Sequence, residues 1–125
     1  MANPNIGSSP IYIYGNTSTI TPANTSATSM ISNAASSGKV FKVNTIVVSN
    51  VTASAATITI NTYSAAALGG TASPIAYQIS VPANASLIVS DKTTAFYLLE
   101  DKSVGAIVGT ASALTITTSW EEINA

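Results

Sequence analysis

The stretch Lys39 to Val51, KVFKVNTIVVSNV, decides the fold. It has the densest β-branched content of the chain, and residues two apart share a face of a strand. Strict alternation sets Phe41, Val43, Thr45 and Val47 on one face and Lys42, Asn44, Ile46 and Val48 on the other. The second face turns apolar only in its latter half. This predicts a central strand, half exposed at its start and buried at its end.

Working outward, the same short alternating runs recur. Ala55–Tyr63 places Ile58, Ile60 and Thr62 on one face, and Thr57, Thr59, Asn61 and Tyr63 on the other. Ile75–Val81 is a return strand with Ile75, Tyr77, Ile79 and Val81 on one face. Between them, Ser64 to Pro74 (SAAALGGTASP) reads as a long connection in which residues 65–68 can form one helical turn. Ser86–Ser90 is a short buried run, Leu87-Ile88-Val89, and a polar turn at 91–94 leads to a strand over Ala95–Glu100. Ser103–Thr110 and Ala113–Trp120 form a last pair, with Trp120 sealing one end of the core and Glu121-Glu122 leading out. No window has helical periodicity. About eight short strands separated by turn signals predict an all-β chain, a single β-sandwich, Ig-like or jelly-roll-like.

Residues 1–38 read as an N-terminal arm, partly extended and able to contribute edge strands; 39–125 read as the β-sandwich domain. Pro4, Pro10 and Pro22 interrupt helix in the arm. Ile11-Tyr12-Ile13-Tyr14 is a short strand closed by Gly15-Asn16, apolar on both faces and so in need of two covers. Thr25–Asn33 is a second strand, with Met30 inward.

Charged residues make up 7% of the chain, against about 25% in soluble domains. None falls in residues 1–38 or 43–90. A free monomer surface is normally mixed and charged, and open sheet edges are normally guarded by Lys, Pro or bulges. This chain has few charges for that task, so other subunits are expected to cover part of its surface, and a homo-oligomer is the natural form. The candidate interface residues are Ile11, Tyr12, Ile13, Tyr14, Tyr63 and Leu68.

The missing residue types exclude much chemistry. There is no Cys, no His and no Arg. Serine triads, thiolate or imidazole metal sites and bidentate phosphate clamps are therefore unavailable. Gly69-Gly70 lacks the Lys-Ser/Thr of a phosphate loop. Glu100-Asp101 and Glu121-Glu122 are the two acidic pairs; solvated strand ends describe them better than a glycosidase pair or a calcium site. Four Asn-X-Ser/Thr triplets, at Asn16, Asn24, Asn50 and Asn84, are a consequence of composition. Met1 is followed by neither a basic nor an apolar leader region, so no signal peptide is expected. No apolar run spans a membrane, and a net charge of −1 disfavours nucleic acid. The expectation is a non-enzymatic protein with no catalytic residue, cofactor, metal or small-molecule substrate.

Several segments carry a family resemblance. These are Ser37-Gly38-Lys39-Val40-Phe41-Lys42-Val43-Asn44 with Ile46-Val47-Val48-Ser49-Asn50, Ile79-Ser80-Val81-Pro82-Ala83 before Leu87-Ile88-Val89, and Asp91-Lys92. Phe96-Tyr97-Leu98-Leu99-Glu100-Asp101-Lys102-Ser103 and Ser119-Trp120-Glu121-Glu122-Ile123 complete the set. Together they resemble small virion structural proteins of tailed bacteriophages, especially those of marine cyanobacteria, over about residues 37–123. The 64–74 loop and Val104-Gly105 depart from the family's usual look. The resemblance implies a β-sandwich on the particle, made in the host cytoplasm, with the major capsid protein or other virion proteins as partners. A capsid decoration or cement protein on the outer shell is the first reading. A neck or tail component is the second. A carbohydrate-binding adhesion module at a fibre tip is the third; it needs an exposed aromatic platform, for which Tyr12, Tyr14, Tyr63, Tyr77 and Tyr97 are the candidates, although core and interface packing is the more frequent use of tyrosine in β proteins.

Overall fold

A computed structural model describes residues 12–124. Among these residues, nine strands occur in the order β1 (Tyr12–Ile20), β2 (Thr28–Asn33), β3 (Lys39–Asn50), β4 (Ala56–Ala65), β5 (Gly69–Val81), β6 (Ser86–Ser90), β7 (Phe96–Leu98), β8 (Lys102–Val108) and β9 (Leu114–Asn124). They form two antiparallel sheets. Sheet 1 has the order β1-β9-β3-β6, with β7 also on β3; sheet 2 has the order β2-β8-β4-β5. The pairs β1–β9, β2–β8, β3–β6 and β4–β5 are nested like one long hairpin. Rolling that hairpin brings β9 against β3 and β8 against β4. This is jelly-roll topology, one of the two sandwich types expected from sequence. The core between the sheets includes Val43, Ile46, Val48, Ile58, Ile60, Val104, Leu114 and Ile116.

β3 is central, yet it does not alternate as its sequence suggests. Its register with β9 shifts between Val43 and Thr45. The extra residue, Asn44, forms a bulge that changes the phase of all that follows. Phe41 and Val43 face the core before it, and Ile46 and Val48 face it after. Val47 sits with the outer residues instead of with Phe41 and Val43. Asn44 donates its Nδ2 to Glu121 Oε1 at 3.2 Å, which satisfies the displaced side chain.

Other expectations are corrected in the same way. β1 does not close at Gly15-Asn16. It pairs with β9 from Tyr12↔Asn124 to Ile20↔Ile116 without interruption. The 64–74 segment is not a long loop: β4 and β5 meet in a tight hairpin at Ala66–Gly69, with Gly69 N donating to Ala66 O at 3.1 Å. No helical turn forms there, because Ala67 and Leu68 are left-handed, with φ of 55° and 62°. Two consecutive positive φ values are what a tight hairpin turn with the right-handed strand twist requires. β5 does not present a single apolar face. Its register with β4 shifts three times, so Ala76 and Val81 turn inward while Ile75, Tyr77 and Ile79 are exposed. In β6, Ile88 is 63% exposed, between the partly buried Leu87 and Val89. Finally, β8 and β9 are not partners. The 109–113 connection crosses from sheet 2 to sheet 1. β9 extends to Asn124, held by β1 and β3 on either side, so Glu121 and Glu122 are strand residues rather than an exit segment.

Residues 12–33, within the stretch outlined as an arm, supply one edge strand to each sheet. Met30 is buried. Residues 1–11, which include Ile11, lie outside the described part.

Candidate interaction surfaces

Three features of the surface have chemistry to examine: the Tyr12–Tyr14 end of β1, the β4–β5 hairpin tip, and a cavity near β7.

At the β1 end, Tyr12 and Tyr14 lie two residues apart on one face, and their rings stack with centroids 4.3 Å apart. Asn124 Nδ2 donates to the Tyr12 hydroxyl at 2.9 Å. Lys39 Nζ lies 2.7 Å from Glu122 Oε1. That hydrogen bond to Glu122 raises the Lys39 pKa above its ordinary 10.5, against a smaller opposing effect of burial. Glu122 is therefore an ion-pair partner at the sheet end, not a freely solvated carboxylate. Glu100, in the other acidic pair read as solvated, is 5% exposed. Ile13 and Tyr14 are 55% and 54% exposed. Trp120, in the neighbouring strand, packs on the core, its ring 6.3 Å from that of Phe41 and tilted to it.

The hairpin tip folds back over the outer face of sheet 2. Three side chains take its backbone N–H groups. Asp101 Oδ1 accepts from Ala66 N at 3.1 Å, Ser32 Oγ from Ala67 N at 2.9 Å, and Ser103 Oγ from Leu68 N at 2.9 Å. Ser103 Oγ also donates to Ala65 O at 2.7 Å. Left-handed non-glycine residues cost about 1–2 kcal/mol each, and these bonds offset that cost. Leu68 and Tyr63 converge over Gly105, where a Cβ would meet Leu68 Cδ2 at 2.6 Å and Tyr63 Cε2 at 3.2 Å. Tyr63 and Leu68, both candidate interface residues, are thus packed within the subunit. Tyr63 is only 8% exposed. It also belongs to sheet 2, whereas Tyr12 and Tyr14 are on an edge of sheet 1. The three tyrosines do not make one sugar-stacking platform.

A prediction follows for Gly105. Gly105→Val must push Leu68 and the docked tip away, an overpacking cost of about 2 kcal/mol, measurable by thermal or urea unfolding. Gly15→Ala is the control. Nothing lies within 4 Å of a Cβ there, so its stability should change by less than about 0.5 kcal/mol.

The cavity, of about 350 Å³, opens between the β4–β5 hairpin and β7. Thr62, Tyr63 and Ser73 contribute from one side, and Phe96, Leu98 and Leu99 from the other. Lys102 is the one charged residue of its lining, and its Nζ donates to Ser64 O at 3.0 Å. Apart from Lys102 the lining is apolar side chains, the phenols of Tyr63 and Tyr97, and Ser and Thr hydroxyls, with no carboxylate among them. On the same side of the sandwich, the β6–β7 connection is fixed by Asp91. Its carboxylate accepts from Thr93 N at 2.9 Å, and hydrogen bonds from the Thr93 side chain and then its backbone lower its pKa. The cavity leaves no local pattern in the sequence, because its walls come from segments about thirty residues apart.

Among the described residues, no group of three or more His, Cys, Asp or Glu could hold a metal ion. Among the same residues, no helix is long and apolar enough to cross a membrane. Of the Asn-X-Ser/Thr triplets, that at Asn50 is closed to modification, since its side chain is 3% exposed and hydrogen-bonded inward.

Comparison with known proteins places the fold. No family model matches the chain, and no curated protein does. Among solved structures, a chain from Bacillus endospore appendages, which form disulfide-linked pili, is similar with a TM-score of 0.54 and 18% identity. The match covers 99% of this chain and 96% of that one. The Drosophila NLP core, studied for pentamer formation and histone binding, gives 0.44 at 13% identity, over 86% of this chain and 96% of that one. A chain of infectious bursal disease virus Gx strain gives 0.41 at 13%, over 97% of this chain and 37% of the viral one. At these identities the likeness concerns the fold alone: this chain is an all-β sandwich of a kind found in the Bacillus protein, without a cysteine to form that protein's disulfide links.

Proposed function

We propose that this chain is a non-enzymatic structural subunit of a tailed-phage particle, seated on the outer shell of the head as a decoration protein. One observation carries the reading: large apolar side chains stay exposed along strands that have no charge to keep partners away. Ile13 and Tyr14 on β1, Ile75, Tyr77 and Ile79 on β5, and Ile88 on β6 are all more than 40% exposed. No charged residue occurs in β1, β5, β6 or β7. Such surfaces suit permanent assembly, where contact area excludes water. The resemblance to small virion structural proteins supplies the setting. The adhesion reading loses support because Tyr63 is buried on a different sheet from Tyr12 and Tyr14.

The test is addition of the purified chain to heads of a phage of marine cyanobacteria that lack it. The chain should co-sediment with heads and give repeated density on the outer shell by electron cryomicroscopy. Density at the neck or tail alone would favour the second structural position. No binding to any part of the particle would overturn the proposal.

A further inference from the structure

The sandwich has two flanks. β1 and β2 bound one; β5, β6 and β7 bound the other. The edges differ in how they are guarded. β5 carries Pro74 and three register shifts, and β2 carries a bulge between Ser29 and Ile31. Pro and bulges spoil an edge for further pairing. β1 has neither. It pairs with β9 in unbroken register and has no charge, so its outer edge, which no strand pairs among the described residues, is a regular template. On the opposite flank, the β6–β7 edge of sheet 1 is also uncharged; β6 carries a bulge at Val89, so β7, beside which the cavity opens, is the regular part of that edge.

We propose that copies of this chain join head to tail, with β1 of one copy beside the β6–β7 edge of the next and Tyr14 entering the cavity. The inference deepens the structural-subunit reading and rests on it for its biological setting. Register supports this arrangement. Tyr14 is opposite Glu122, Glu122 opposite Phe41, and Phe41 opposite Leu98. Residues opposite one another in antiparallel strands share a face. Tyr14 is therefore level with Leu98, a wall of the cavity, on the same face and at the other end of the row.

Strand direction supports it too. β1–β9, β9–β3 and β3 with β6 or β7 are all antiparallel. β1 therefore runs opposite to β6 and β7, and two copies in the same orientation bring those edges together antiparallel. The chemistry also fits. Phe96 and Leu98 can flank a phenol ring, and the Lys102 ammonium and nearby Ser and Thr hydroxyls can meet its hydroxyl group. A two-fold β1–β1 contact would leave the cavity and the β6–β7 edge uncovered. The head-to-tail contact uses both, and it repeats until it closes as a ring or extends as a filament.

Two variants of the full chain test this, read by sedimentation velocity. Tyr14→Asp blocks the head and leaves the tail intact; Tyr97→Asp, at the cavity mouth and 46% exposed, does the reverse. Wild type should form multimers. Each variant alone should be monomeric, with self-association weakened at least about tenfold, roughly the effect of losing one hot-spot side chain. An equimolar mixture should give a heterodimer that grows no further. Where an aspartate variant melts below wild type, Tyr14→Ser or Tyr97→Ser replaces it.

A monomeric wild type would overturn the inference. So would Tyr97→Asp assembling like wild type, or folded variants that fail to pair when mixed. A wild type that stays monomeric yet decorates heads removes this inference and leaves the decoration reading. Self-assembly without binding to heads does the opposite.

Discussion

Asn50→Ala should destabilise the chain by about 3 kcal/mol, lowering Tm by roughly 10 °C. Asn50 ends β3 and is 3% exposed. Its Nδ2 donates to Ser54 O at 2.8 Å and to Val81 O at 3.0 Å. Its Oδ1 accepts from Thr52 N at 2.9 Å and Thr52 Oγ1 at 2.7 Å. One amide thus ties the end of β3 in sheet 1 to the end of β5 in sheet 2 and shapes the turn between β3 and β4. Truncation leaves these partners without their bonds in a place that water does not easily reach. Each unsatisfied buried group costs about 1–3 kcal/mol. Asn50→Asp keeps the acceptor but cannot donate to two carbonyls, so it should be at least as damaging at neutral pH. Asn33 holds the opposite end. Fully buried, it donates to Lys39 O at 2.9 Å and Leu98 O at 3.2 Å, and accepts from Ser37 Oγ at 2.6 Å. Urea unfolding of both alanine variants checks the pair. A loss below about 1 kcal/mol at Asn50 would mean that water replaces the amide without penalty.

The second large effect separates two neighbours in β3. Ile46→Ala should cost about 3 kcal/mol, the usual loss for a fully buried aliphatic side chain with a cavity left behind. Val47→Ala should cost less than about 1 kcal/mol. Ile46 has no exposed surface, while Val47 lies between Thr117 of β9 and Ile88 of β6 on the outer face. Unbroken alternation from Phe41 would put Val47 inward with Val43 and reverse the ranking. Equilibrium unfolding of the two variants is therefore a direct assay of the bulge at Asn44. Equal losses at the two sites would argue against the phase change.

Much of the fold is legible because strands announce themselves through β-branched alternation. Met30, Ile58 and Ile60 are buried as their patterns indicate, and Trp120 packs on the core at one end. The misreadings have a common cause. Gly15-Asn16 and the Gly69-Gly70 region look like breaks because glycine, asparagine and proline favour turns locally. Pairing with β9 keeps β1 extended through Gly15, and pairing with β4 keeps β5 extended through Pro74. Exposure is harder to read than alternation. Ile13 and Tyr14 are exposed, whereas Tyr63 is buried, because Leu68 on the folded-back hairpin covers the face where it lies.

The amino-acid sequence by itself determined that this is an all-β chain without the side chains of imidazole, thiolate or guanidinium chemistry, and with few charges to shield its edges. Those are properties of composition and of a two-residue period, and neither needs a partner strand to be read. Only the tertiary structure decided the jelly-roll order, the shift of phase at Asn44 and the placing of Tyr14 level with a cavity on the far flank. Each depends on which strands lie side by side and in what register, and such pairings join residues far apart along the chain.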